Sequence, residues 1–320
     1  MAIEDITDYA SGVTAIDAHF AGRPGQVASH LLVDSGEAAL VDVGSNFSVP
    51  HLLRGLEAKG VMPEAVRYLF VTHVHLDHAG GAGELMRHLP RATLVVHPRS
   101  ARHMIDPTAL FEGARGVFGD EVMATHYGEP VPVPEDRVHI VDDGDRLPLG
   151  RRSLRFLDTP GHANHHYSMV DETNALVFAG DTFGVAYRSL INARGAFTFP
   201  STAPVHFDPD AAHRSLDRLR DLKPDAIYVA HFGEVTEIDR LADDLHRGLD
   251  AHVAIAERHA DAGDGQVRAI AADLQAWLQE ALRAHGVELS DAQFRDTLGL
   301  DLEINAQGLA VWLMRRGAGR

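Results

Sequence analysis

Six residues, His73-Val74-His75-Leu76-Asp77-His78, constrain this chain more than any other stretch. They put three histidines and one aspartate directly after Arg67-Tyr68-Leu69-Phe70-Val71, a short apolar and aromatic run that reads as a buried strand. Positions 73, 75 and 77 alternate, so a regular strand would place them on one face. His78 breaks that period, which points to an irregular loop wrapped around a centre. Gly80-Gly81 then lets the backbone turn sharply before a helix. Imidazole and carboxylate donors at this density suit zinc, iron or manganese. The alternative, a solvated histidine-rich loop, fits poorly with the strand-to-loop setting.

The rest of the composition narrows the chemistry. The 320 residues include no cysteine, so disulfides and thiolate ligands are excluded and any metal must be held by histidine and carboxylate. The chain has 21 histidines. The segment Met1 to Gly12 is acidic without an apolar core and does not read as a signal peptide. No window reaches the apolar length of a membrane span, and the expected setting is the cytoplasm. A formal charge of −17 disfavours nucleic-acid backbones and anionic membranes as partners, although bound divalent cations would offset part of it locally.

Along the chain, His30 to Val33 and Ala39 to Asp42 read as a hairpin about Asp34-Ser35-Gly36. Pro50 to Lys59 has helical spacing and stops at Gly60. Glu84 to Leu89 reads as a helix and Ala92 to Val96 as a strand. Regular alternation disappears over 98–137, which holds Pro107, Pro130, Pro132 and Pro134. That stretch is expected to be an inserted pocket or lid segment, with helical patches such as Ala109 to Arg115. Strand patterns return at 138–141, 147–149, 153–157, 167–170 and 175–179. A helix over 210–222 and a strand over 226–230 follow. After Glu234 the pattern is helical, in segments 238–248, 251–262, 266–284, 291–298 and 307–316. The expectation is an α/β sandwich over 1–235 and a C-terminal helical extension over 236–320.

Thr72-His73-Val74-His75-Leu76-Asp77-His78 resembles the signature of the metallo-β-lactamase-fold hydrolases. Thr159-Pro160-Gly161-His162, Phe178-Ala179-Gly180-Asp181 and Ala230-His231-Phe232-Gly233 resemble that family's later ligand motifs, in its order. Together the resemblance spans roughly residues 20–235. It implies a four-layer αββα sandwich and two divalent metal ions, zinc first, with manganese or iron as alternatives. It further implies that His73, His75 and His162 hold one ion, that Asp77, His78 and His231 hold the other, and that Asp181 bridges them. Two such ions share a water and lower its pKa towards neutrality, which gives a hydroxide nucleophile. Asp77 would serve as a proton carrier besides being a ligand.

Other residues take their roles from the same resemblance. Asp42, ending a strand, resembles the aspartate that orients a ligating histidine. His165 and His166 lie close after the third motif and are expected to support the ligands. Tyr187 stands near the place where some lactonases of the superfamily carry a catalytic tyrosine, at a longer spacing; the alternative is a packed aromatic. His97, His103, His126, Phe111, Phe118 and Tyr127 are expected to line a pocket beside the insertion.

Several branches of the superfamily can be set aside. The missing cysteine excludes the cysteine-ligated β-lactamases, and the remaining β-lactamases are exported. Flavin-partnered di-iron reductases usually carry Glu at the position of His75, and RNA-processing members prefer a basic groove. The resemblance leaves hydrolysis of an ester in a small-molecule substrate, a lactone or carboxylic ester, with a phosphoester as a variant. A glyoxalase II-like thioesterase is the alternative, weakened by the lack of a cationic cluster for glutathione. A mononuclear-iron sulfur dioxygenase would leave empty a second site that is intact here. The stripe Leu274, Trp277, Leu278 and Leu282 is expected to cover the core or a second subunit of a homodimer.

Overall fold

The structure, a computed structural model, describes residues 5–318. Contacts divide the chain into two compact units. The first takes residues up to Asp158, His165–Gly180 and Pro224–Thr236; the second takes Thr159–Asn164, Asp181–Lys223 and the chain from Glu237 onward.

The first unit contains two mixed sheets. One has the spatial order β1 (Ile6–Asp8), β2 (Val13–Asp17), β3 (Ala28–Asp34), β4 (Glu37–Val41), β5 (Val66–Phe70), β6 (Thr93–Val96) and β7 (Val138–Ile140). Its pairings are antiparallel up to β4 and parallel thereafter. The other sheet is built from β8 (Arg146–Leu149), β9 (Arg152–Asp158), β10 (Tyr167–Asp171), β11 (Leu176–Gly180), β12 (Ala226–Val229) and β13 (Glu234–Val235). It runs β13-β12-β11-β10-β9-β8 and is parallel at the pairing of β11 with β12.

Neighbouring residues of the first sheet are shared between two cores, as the two-residue period of a strand requires. Leu31, Leu40, Leu69 and Leu94 join Leu52 and Leu56 of α1 (Val49–Ala58) on one face. Leu32, Val41, Phe70 and Val95 meet Phe156, Met169, Phe178 and Tyr228 of the second sheet on the other. Burial on both faces is why these strands read as almost unbroken apolar runs. The β3–β4 turn falls at the expected place, with Ser35 and Gly36 both at positive φ (52° and 82°), as a two-residue hairpin loop demands. The sequence pattern predicts none of β1, β2 and β13: β1 and β13 are only three and two residues long, and β2 is a five-residue run, Val13–Asp17.

Between the strands lie α2 (Leu76–Ala79), α3 (Ala82–His88), α4 (Ala101–Ile105) and α5 (Thr108–Val122). The 98–137 stretch is thus more helical than its prolines and glycines suggested. Ala101, Met104 and Val133 from its two ends are buried in the same core as α1. Val133 N donates to Met104 O at 2.9 Å and ties the returning chain to α4.

The second unit carries α6 (Pro209–Arg220), α7 (Ile238–Arg258), α8 (Gln266–His285) and α9 (Asp291–Ala318). Two of these correct the sequence reading. α7 runs unbroken through the expected stop near 249, and α9 through the one expected between 299 and 306. Glycine did not end α7 at Gly248 because it serves packing there: a Cβ would lie 2.7 Å from Pro200 Cδ. In α9 the buried positions Phe294, Leu298, Leu302, Ala306 and Leu309 continue at helical spacing across the expected break. The α8 stripe is likewise buried in the chain at Leu274, Leu278 and Leu282. Among the described residues, no helix is long and apolar enough to cross a membrane.

Candidate metal centre

In the first unit the site is built where β4 and β5 end side by side. Asp42 follows β4 and takes φ 55°, the left-handed region that aspartate enters more readily than most side chains. Its carboxylate, 1% exposed, accepts from Thr72 N at 2.8 Å and from Thr72 Oγ1 at 2.9 and 3.0 Å. His78 Nδ1 reaches the same carboxylate at 3.1 Å. Val43 N donates to His78 O, and Gly81 N to Gly44 O, both at 2.8 Å. Any Cβ at position 81 would meet Ser45 O at 2.5 Å, so the paired glycines allow the two loops to touch. The aspartate at the end of β4 therefore orients a histidine of the cluster, as expected.

The histidine run itself turns into α2, with His75 at its N-terminal boundary. His73 and His78 are fully buried, whereas His75 and Asp77 are partly exposed. His73 Nε2 and His75 Nδ1 converge to 3.0 Å. Asp77 Oδ2 faces His78 Nε2 at 3.4 Å and His231 Nε2 at 3.5 Å. Asp77, His78 and His231 form a group whose donor atoms all lie within 4.8 Å of one another.

The far nitrogens fix the tautomers. His231 Nδ1 donates to Gln26 O at 2.8 Å, and His78 Nδ1 donates to the Asp42 carboxylate at 3.1 Å. Each Nε2 lone pair is then directed towards Asp77, an arrangement typical of metal-bound imidazoles. When those rings instead carry a second proton on Nε2, burial still pushes the Asp77 carboxyl up, but the charge and hydrogen bond of His78, with the charges of His231 and His75, outweigh it and hold it well below the usual carboxylate range. This all-nitrogen-and-oxygen donor set, with its outer partners in place, could hold a divalent metal ion.

In the second unit His162 follows the end of β9 by four residues, and Asp181 is the first residue after β11. Both are buried, and His162 Nε2 lies 3.4 Å from Asp181 Oδ2. The Nδ1 of His162 donates to Ser201 O at 3.1 Å. Thr182 Oγ1 donates to Thr159 O at 3.2 Å and fastens the two short segments together. Beside them is a narrow cleft of about 20 Å³, walled by Ala212, Leu216, Leu245 and Leu249.

The remaining candidates separate into groups. His166 lies against the His73 ring with centroids 4.9 Å apart, and His165 stacks at 6.3 Å. A Cβ on Gly180 would come within 2.5 Å of His166 Nε2, so a glycine at φ 49° makes room for that ring. Phe111 and Tyr127 gather with Phe20, Leu76 and Met123 in one apolar cluster, and Phe118 packs on it. Burial and the nearby charge of Asp77 both raise the Tyr127 hydroxyl above its ordinary range. His126 sits 6.4 Å from the Phe20 ring. His97 instead bonds Asp158 at 2.8 Å, and His103 contacts Arg102. Tyr187 is buried, and its hydroxyl donates to Asp301 of α9 at 3.0 Å. No residue pattern points to Gln26, Ser201 or Asp301; the first two act through backbone carbonyls, which any residue could supply.

Residues 22–231 match the family described as the metallo-beta-lactamase superfamily. A metallo-beta-lactamase fold-containing protein from Sulfurisphaera tokodaii is 31% identical over 173 residues, 53% of this chain and 61% of that protein. A hydroxyacylglutathione hydrolase from Hahella chejuensis is 29% identical over 201 residues, 62% of this chain and 58% of its own length. Among solved structures, an archaeal metallo-beta-lactamase superfamily protein from Sulfolobus tokodaii superposes with a TM-score of 0.65 at 21% identity. That match covers 94% of this chain and 99% of the other. It bears out the expected α/β fold, two mixed sheets with flanking helices and a C-terminal helical region.

Proposed function

This chain belongs to the metallo-beta-lactamase superfamily, and from that premise we propose that it is a binuclear metal-dependent hydrolase of ester-type bonds. The substrate class is a small lactone or carboxylic ester, with a phosphoester as a variant. The observation that carries the reading is the Asp77, His78 and His231 group, whose two imidazoles each have the outer nitrogen already tied. In this proposal His73, His75 and His162 would hold one ion, Asp77, His78 and His231 would hold the second, and Asp181 would serve both. Zinc is the proposed metal. Two bound cations supply a water acidified towards neutral pH and a Lewis acid for the scissile oxygen.

The chain's own residues do the rest. His78 and His231 are kept in the tautomer that presents Nε2. Asp77, ionised beside them, would accept the proton that the attacking water gives up and pass it to the departing ester oxygen as the carbon–oxygen bond breaks. Tyr187 is proposed as the second proton-handling group, which requires its hydroxyl to exchange Asp301 for substrate. The hydroxyacylglutathione hydrolases among the relatives favour a thioesterase as the second reading.

The test is a hydrolysis screen on zinc-reconstituted protein across lactones, aryl esters, phosphodiesters and glutathione thioesters, with metal counted per chain. Two zinc per chain and turnover of a lactone or ester is the expected result. Asp181→Ala should abolish that turnover, and Tyr187→Phe should lower kcat more than it raises KM. Turnover of thioesters alone would select the second reading. Full activity in Asp181→Ala would sink the ligand assignment.

A further inference from the structure

The C-terminal helix α9 is linked to His162 through the side chain of Asn305, and every contact in that path lies within the second unit. Asn305 is 4% exposed and sits in the middle of α9. Its Oδ1 accepts from Thr202 N at 2.7 Å, and its Nδ2 donates to Pro200 O at 3.1 Å. The backbone carbonyl of Asn305 accepts from Thr202 Oγ1 at 3.1 Å. These bonds fasten both neighbours of Ser201, and Ser201 O is the acceptor for His162 Nδ1.

The orientation of the Asn305 amide follows from chemistry. Pro200 has no N–H and offers only a carbonyl, so the amide nitrogen must face it. The amide oxygen is left to meet the Thr202 N–H. Aspartate would be isosteric but would set a carboxylate oxygen against Pro200 O. A second feature of α9 serves the same contact. One turn further on, Gly308 has no room for a side chain: a Cβ would lie 1.7 Å from Thr202 O. The helix backbone thus presses directly on the segment that Asn305 grips.

Because Ser201 O can only accept, His162 must carry its proton on Nδ1 and present the Nε2 lone pair, which faces Asp181. We propose that Asn305 is a positioning residue for His162, fixing the 200–202 segment and through it the direction in which His162 offers Nε2 to a metal ion. The proposal rests on the reading of His162 as a metal ligand. It makes α9 part of the outer coordination shell of the centre, although α9 supplies no donor of its own.

The experiment is a zinc titration of the metal-stripped full-length chain against a chromophoric chelator, with the Co(II)-substituted absorption spectrum as a second readout. Asn305→Ala should weaken the affected zinc equivalent up to about 10-fold, the low end of the range for losing a ligand's own hydrogen-bond partner because Ser201 O itself remains, and should alter the Co(II) spectrum. Asn305→Asp, which keeps the volume and one bond, should show the same change of spectrum. It also serves if the alanine variant does not fold. Melting of the metal-free proteins separates folding from metal binding. Wild-type affinity and an unchanged spectrum in a folded Asn305 variant would overturn the proposal. His162→Ala is the control for the premise: if it binds zinc as the wild type does, the ligand assignment falls and the inference with it.

Discussion

Asp42 shows how one residue can combine strain with organisation. Holding a non-glycine residue at φ 55° costs on the order of 1 kcal/mol, and the conformation persists because its carboxylate serves three buried donors. Asp42→Ala keeps the unfavourable backbone and strips the acceptor from Thr72 and His78. Denaturant unfolding of the metal-free variant should show a loss of about 1–3 kcal/mol, the penalty for leaving buried donors unmet. Zinc affinity should fall alongside by 10- to 100-fold, because the His78 tautomer is no longer fixed. An unchanged midpoint together with unchanged affinity would rule out this role. At this scale the sequence was most legible for donors: His73, His75, Asp77 and His78 declare themselves because their side chains are the chemistry. Gln26 and Ser201 act through main-chain oxygens and leave no trace in residue identity.

Among the elements, α9 provides a direct test of whether context or propensity governs its glycines. Gly299 and Gly308 both lie inside the helix, yet a Cβ at 299 meets nothing within 4 Å while one at 308 collides with Thr202 O. Gly299→Ala should stabilise the protein by roughly 0.5–1 kcal/mol through helix propensity. Gly308→Ala should do the opposite and destabilise it by about 1–3 kcal/mol, because helix and segment must separate. Thermal melts of the two variants decide the matter, and equal shifts of the same sign would refute it. The same distinction explains why strands were easier to recognise than helix ends. Alternation buried on both faces reports itself in Leu31-Leu32 and Leu69-Phe70, whereas a glycine that stops a helix looks identical to one that admits a neighbour.

Stability against pH belongs to the whole molecule, since it follows from protons gained on global unfolding. His252 is buried in α7, its Nδ1 donates to Gly248 O at 2.8 Å, and its ring meets Trp277 edge-on at 5.1 Å. Burial lowers its pKa from 6.5 to about 4, against the smaller upward pull of that hydrogen bond. The unfolded chain therefore binds the proton first, so this contribution is intact above pH 6.5 and is lost as pH falls from 6.5 towards 4. The loss should reach on the order of 3 kcal/mol at pH 4. Urea unfolding of wild type and His252→Leu at pH 7 and pH 4 isolates it. The wild type should weaken more on acidification, and parallel losses would exclude a buried neutral histidine. Nothing in the sequence marked His252 among 21 histidines, because burial is decided by which helices pack together.

Leu76 lies between His75 and Asp77, and its side chain packs among Phe20, Phe111, Met123 and Tyr127. The donors are thus fixed by sheet ends and carboxylate bonds, while Leu76, unlike Val74 in the α1 core, leans on an apolar layer from α5 and the π-helical turn after it. Substitutions in that layer would reach the histidine run through Leu76 and leave its donor side chains unaltered.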